Sequence, residues 1–180
     1  MARARSDRTL WIVALVLFLA RKKDAASGKR SAADVAPKGP PGELGIVVYP
    51  VQGGAKIISP YGAQRGTKLH LGVDLQAAEG TPLLAMSAGK VTFGTDPDGG
   101  NIAKLNRSDG SAIYYAHMQA AEGTARDVAA GDVIGYLGKT GNAYRGPAHL
   151  HLEVWPEGVY THTTDPTPML TAAKVWKGTA

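Results

Sequence analysis

From residue 45 onward the chain consists of short apolar runs punctuated by turn residues. AKIIS, TPLLAM, GKVTFG, NIAKL, SAIYYAH and DVIGYLG alternate with segments such as DPDGGN and RSDG. No stretch sustains a helical apolar period for three turns, so the pattern predicts strands joined by tight hairpins. The strictest alternation is AHLHLEVW, where His149, His151 and Glu153 share one parity and Leu150, Leu152 and Val154 the other. Residues two apart on a strand face the same way, which predicts an apolar inner face and two imidazoles plus a carboxylate opposite. In KLHLGVDLQA, His70 and Asp74 are also an even number apart, and Gly72 between them favours an extended segment over a helix. Tyr114 and Tyr115 alternate, so one is expected to face the core and the other the histidine side. GTPLLAMSAGKV and AGDVIGYLGKTG echo each other loosely as glycine-bounded apolar hairpin segments.

The first 44 residues follow a different pattern. A basic segment, 1–8, contains Arg3, Arg5 and Arg8, and residues 9–20 hold the uninterrupted apolar run LWIVALVLFLA. Its eleven residues suit the apolar region of a signal sequence and fall short of the ~20 needed for a spanning helix. Bulky Phe18 precedes Ala20 where cleavage wants a small residue, and Arg21, Lys22 and Lys23 follow at once. The expectation is therefore a short uncleaved anchor at the membrane, with a cleaved signal sequence as the alternative. Residues 21–44, rich in Ala, Ser, Lys, Pro and Gly, read as a flexible linker, and 45–180 as one domain. Both versions put that domain in the cell envelope outside the cytoplasmic membrane, periplasmic or extracellular.

Charge refines this division. The net charge of the 180 residues is +5, but residues 1–44 hold nine Lys/Arg against four Asp/Glu, and the remainder eleven of each. The whole excess sits in the arm, so the domain has no basic balance of the kind a nucleic-acid-binding domain shows, and nucleic acid is not the expected partner. There is no cysteine, hence no disulfide or lipidated cysteine, and any metal must be held by nitrogen and oxygen.

Four of the five histidines gather in the alternating segments and in IYYAHM. A catalytic zinc takes three protein ligands and keeps one position open. His70, Asp74 and one histidine of the HLH pair would supply three, leaving the other and His117 for proton transfer. His162, in the Thr-rich tail THTTD, reads as a surface residue. Asp96 and Asp98 read as a turn rather than a calcium loop, because the twelve-residue pattern is missing. Trp155 and Tyr144 could line a groove or simply pack, and Glu153 could orient a histidine.

HLGVD, YYAH and GKTGNAYRGPAHLHLEV, in that order, resemble the lysostaphin-type zinc endopeptidases, which cut the peptide part of bacterial peptidoglycan. The resemblance runs over 57–155. It implies a mainly β fold of antiparallel sheets, a barrel-sandwich hybrid, with one Zn2+ per chain on His70, Asp74 and His151. It implies His117 and His149 as catalytic histidines, with their division of labour open, and peptidoglycan stems or cross-bridges as the partner of a monomer. Ala148 departs from the common pattern by lengthening the turn before the HLH by one residue. HExxH is absent, so the glutamate base of many zinc proteases is not available. The alternatives are an inactive wall-binding or amidase-activating module of the same fold, and a phosphocarrier-type domain.

Overall fold

The structure is a computed structural model and describes residues 47–120 and 123–176. The expected basic segment, leader and linker at 1–44 lie outside these residues.

Eleven strands follow in order: β1 Lys56–Ser59, β2 Gln64–Arg65, β3 Lys68–Leu69, β4 Val73–Gln76, β5 Pro82–Leu84, β6 Gly89–Asp96, β7 Gly100–Asn106, β8 Ala112–Met118, β9 Arg126–Val128, β10 Val133–Tyr136 and β11 His149–Trp155. A 3-10 turn, Gly141–Ala143, precedes β11, and a short helix, α1 Thr167–Ala172, follows it. Seven strands form one sheet in the order β1-β4-β11-β8-β7-β6-β9, and β5 pairs with β10 and β2 with β3. Every pairing between these strands is antiparallel. The barrel expectation needs correction: β1 and β9 are outer strands of an open sheet, and among the described residues no sheet closes. The two echoing segments find a structural meaning, since β5 and β10 come one from each and pair with each other.

Alternation organises the core. On β11, Leu150 and Leu152 are wholly buried, opposite Leu75 and Val73 of β4. They join Ile113, Tyr115, Leu105 and Val91 from the large sheet and Leu83 and Ile134 from the β5–β10 pair in one apolar cluster. Each fully buried aliphatic side chain contributes roughly 1.5–3 kcal/mol. The small pair thus covers one face of the large sheet, and the opposite face of β4, β11 and β8 is left to the polar residues.

Strand β8 is buried along its whole length, because both its faces are covered. Tyr115 faces the apolar cluster, while Tyr114 packs on the other side with Ala112, Ala116 and Trp155. Near its end the register with β7 slips: Asn101 pairs with Met118 but Ala103 with Tyr115, so two steps on β7 meet three on β8. The extra residue is a bulge, and His117 within it has a left-handed φ of 63°.

Two glycine turns lock the loops beside that bulge. Gly100 (φ 67°) and Gly141 (φ 66°) meet backbone to backbone, and a Cβ on Gly141 would lie 2.2 Å from the Asp98 carbonyl. Only residues without a side chain allow this approach. It brings the Asn142 amide 2.9 Å from the Asp98 oxygen and fixes the loop that contains Thr140.

Candidate active site

Asp74 on β4 and His151 on β11 are direct cross-strand partners. Their side chains therefore rise from one face, as the alternation requires. The extended run expected from His70 to Asp74 is interrupted: His70 lies just beyond β3, and Leu71 and Gly72 link it to β4. His70 still keeps the hairpin pairing, its amide donating to the Ala63 carbonyl at 2.9 Å.

Three donor atoms converge. His70 Nε2 is 3.1 Å from Asp74 Oδ1, His151 Nδ1 is 2.9 Å from the same oxygen, and the two ring nitrogens are 3.0 Å apart. These three residues form a group able to hold a metal ion, all ligand atoms lying within 4.8 Å of one another. Their chemistry, two imidazoles and a carboxylate, suits zinc.

Hydrogen bonds fix which nitrogen of each ring faces inward. His70 Nδ1 donates to the Pro60 carbonyl at 2.9 Å, His117 Nδ1 to Thr140 at 2.9 Å, and His149 Nδ1 to Pro147 at 2.9 Å. In the neutral ring each donation leaves Nε2 as the free lone pair. His151 is reversed. Its Nε2 meets Glu153 Oε1 at 2.9 Å, so Nδ1 points at Asp74. Glu153 is held in turn by the Trp155 indole N–H at 2.6 Å. Trp155 itself stacks on Tyr114, with ring centroids 5.1 Å apart, so packing rather than groove lining is its observed state.

The electrostatics favour positive charge on the imidazole between the two carboxylates. Burial alone would push Asp74 up, but hydrogen bonds from His151 and His70 and their charges hold its carboxyl well below the usual range. Burial opposes the charged form of His151, yet hydrogen bonds to Asp74 and Glu153 prevail and raise it to about 9. A proton or a metal ion answers the same preference. His117 goes the other way: burial, then the neighbouring His149 and His151, lower it to about 4. At neutral pH it is an unprotonated base.

His117 and His149 lie side by side, ring centroids 4.8 Å apart, and His149 Nε2 is 3.9 Å from Asp74 Oδ1. Beside them opens a cleft of about 120 Å³ lined by Arg65, Asp98, Tyr114, His117, Asn142 and His151 among others. Four of the five histidines are thus brought together. His162 is exposed and, among the described residues, pairs with Glu157 at 3.1 Å. Asp96 forms the expected turn, accepting the Asp98 amide at 3.0 Å, and its other oxygen accepts the Tyr114 hydroxyl. Tyr144 is exposed beside Arg145.

Arg65 was not legible as a site residue. Its guanidinium donates to Asp74 Oδ2 and lies on the cleft wall. The available signal was QRGTKL, a turn-centred hairpin that folds Arg65 back toward His70.

The sequence pattern of Peptidase family M23 matches residues 68–164. The DD-carboxypeptidase/endopeptidase Mpg of Neisseria meningitidis is 35% identical over 127 residues, which cover 66% of this chain and 29% of Mpg. The glycyl-glycine endopeptidase ALE-1 of Staphylococcus capitis is 35% identical over 119 residues, 63% of this chain and 32% of ALE-1. The similarity thus spans about a third of the length of these curated relatives. The catalytic domain of the antimicrobial peptidase lysostaphin from Staphylococcus simulans superposes with a TM-score of 0.59 at 30% identity, covering 65% of this chain and 92% of that domain. With more than half of its residues inside the family pattern, His70, Asp74, His117, His149 and His151 among them, the chain belongs to Peptidase family M23.

Proposed function

We propose that the domain is a zinc-dependent endopeptidase that hydrolyses peptide cross-links of bacterial peptidoglycan in cell-wall remodelling or lysis. The observation that carries this reading is the convergence of His70 Nε2, Asp74 Oδ1 and His151 Nδ1 to about 3 Å from one another, beside two further histidines. Mpg and ALE-1 are both named as endopeptidases, and this supports the same class of reaction here.

His70, Asp74 and His151 hold the ion, one per chain, and Glu153 keeps the His151 ring turned toward it. Zinc in such a setting supplies Lewis acidity, which acidifies water and polarises a carbonyl. The remaining work belongs to the two other histidines. One of His117 and His149 accepts the proton of the attacking water at Nε2, and the other donates from Nε2 to the oxygen on which charge develops. The Thr140 and Pro147 carbonyls accept from Nδ1 of both rings and leave both Nε2 atoms for the reaction: a neutral ring accepts the proton there, and the ring that donates from Nε2 does so as the imidazolium. The leader at 9–20 keeps the domain outside the cytoplasmic membrane, as an anchor or as a cleaved signal sequence, and the domain acts as a monomer.

The test is to incubate the purified full chain with peptidoglycan and follow released peptides by mass spectrometry. Fragments with new amino termini are expected, lost on chelation and restored by zinc. Stoichiometric zinc without any cleavage would favour the inactive, amidase-activating module. A chain that binds no zinc would remove the peptidase reading altogether.

A further inference from the structure

Asp74 presents its two oxygens to different partners. Oδ1 faces His70 and His151, while Oδ2 faces the Arg65 guanidinium. The Asp74 side chain is 6% exposed, so an oxygen without a partner there would be costly. Arg65 reaches it from outside, with its own side chain 46% exposed. The same guanidinium nitrogen lies 3.1 Å from Ser59 Oγ, and Ser59 Oγ lies 3.2 Å from His70 Nδ1. One side chain therefore ties the outer oxygen of one candidate ligand to the hydroxyl that touches the outer nitrogen of another.

The hairpin makes this possible. Strands β2 and β3 are two residues each, joined through Gly66 with a φ of 60°, and Arg65 pairs with Lys68. Because His70 directly continues β3, the element that delivers Arg65 also delivers the first candidate ligand.

We propose that Arg65 is a positioning residue for the metal centre, holding Asp74 Oδ2 so that only Oδ1 is offered to the ion. This rests on the reading of His70, Asp74 and His151 as metal ligands. A carboxylate with both oxygens free can rotate or bind through both, which would blur the ligand geometry and fill the position kept open for water. Both contacts come from one guanidinium nitrogen, so a lysine ammonium retains the charge and the donors, but on a stem of different length and without a planar head to hold them in place it replaces the function only in part.

The test compares the parent with Arg65→Ala and Arg65→Lys. Zinc affinity is measured by competition with a chromophoric chelator, kcat and KM at saturating zinc, and unfolding of the metal-free proteins in urea. Arg65→Ala is expected to weaken zinc binding by roughly 10–100-fold, the usual effect of removing a partner of a metal ligand. Its KM should stay within about twofold of the parent. Arg65→Lys should recover part of the affinity. A raised KM with unchanged zinc affinity would mean that Arg65 touches substrate, and the proposal falls. Unchanged affinity with a lower urea midpoint would reduce Arg65 to a structural contact, and it falls again. If the parent itself binds no zinc, the peptidase reading fails with it, whereas a zinc-binding parent matched by Arg65→Ala overturns only the role of Arg65.

Discussion

Replacing Gly72 with alanine is the most direct probe of how strand packing sets the site. Gly72 does not have a positive φ, so its lack of a side chain matters for space alone. A Cβ built there would lie 2.4 Å from the Leu152 carbonyl oxygen, 2.9 Å from His151 Cε1 and 3.0 Å from Glu153 Cγ. A carbon and a carbonyl oxygen approach comfortably to about 3.3 Å, so the β11 backbone would have to retreat by about 0.9 Å. Backbone cannot yield as a flexible side chain does, and overpacking of this kind costs roughly 1–3 kcal/mol. The retreating segment contains His151 and the Glu153 that orients it. A misplacement near 1 Å is enough to lower a catalysed rate by about 10²-fold. Gly94→Ala on β6 is the control, since its nearest contact is Ile102 Cδ1 at 3.8 Å. That exchange should shift stability by no more than about 0.5 kcal/mol. Urea unfolding of the metal-free variants reads the packing cost, and zinc affinity and peptidoglycan cleavage read the displacement. Gly72→Ala unfolding at the same urea concentration as Gly94→Ala, with parental zinc affinity, would refute the reasoning.

The two classes of histidine should separate by metal content: His151→Ala loses zinc in elemental analysis, whereas His117→Ala and His149→Ala keep it and lose roughly 10²–10⁴-fold in rate. A metal-free His149→Ala beside a zinc-loaded His151→Ala would reverse the assignment. Zinc affinity should also depend on pH, because the ion must displace the proton that the site holds on His151 up to about 9. Chelator competition from pH 6.5 to 10 should show affinity rising toward pH 9 and then levelling, and a flat profile would contradict it. The sign for the metal-free chain is opposite: the His151 proton is bound more tightly folded than unfolded. Its stabilisation is complete below about 6.5 and fades as pH rises through about 9.

Much of the site was legible because β-strands translate sequence parity into faces. The alternation of AHLHLEVW alone put His149, His151 and Glu153 opposite Leu150 and Leu152, and that is how β11 is buried. The glycine-rich turns and the surface position of His162 were equally local matters. What parity could not reveal is where it breaks. His117 shares its parity with Tyr115, so regular alternation would have turned it into the apolar cluster. The bulge on β8 and a left-handed φ turn it to the histidine side instead. Such a conformation costs about 1–2 kcal/mol and persists only because the surrounding β7 ladder and the Thr140 carbonyl impose it. Arg65 was hidden for a related reason, since its role depends on which carboxylate oxygen remains unclaimed after β4, β11 and the β2–β3 hairpin have met. Faces are a property of a single strand, determined by the backbone repeat and readable in sequence. Bulges, partners of the second oxygen, and an open rather than closed sheet arise between segments far apart in the chain, so only the tertiary structure decided them.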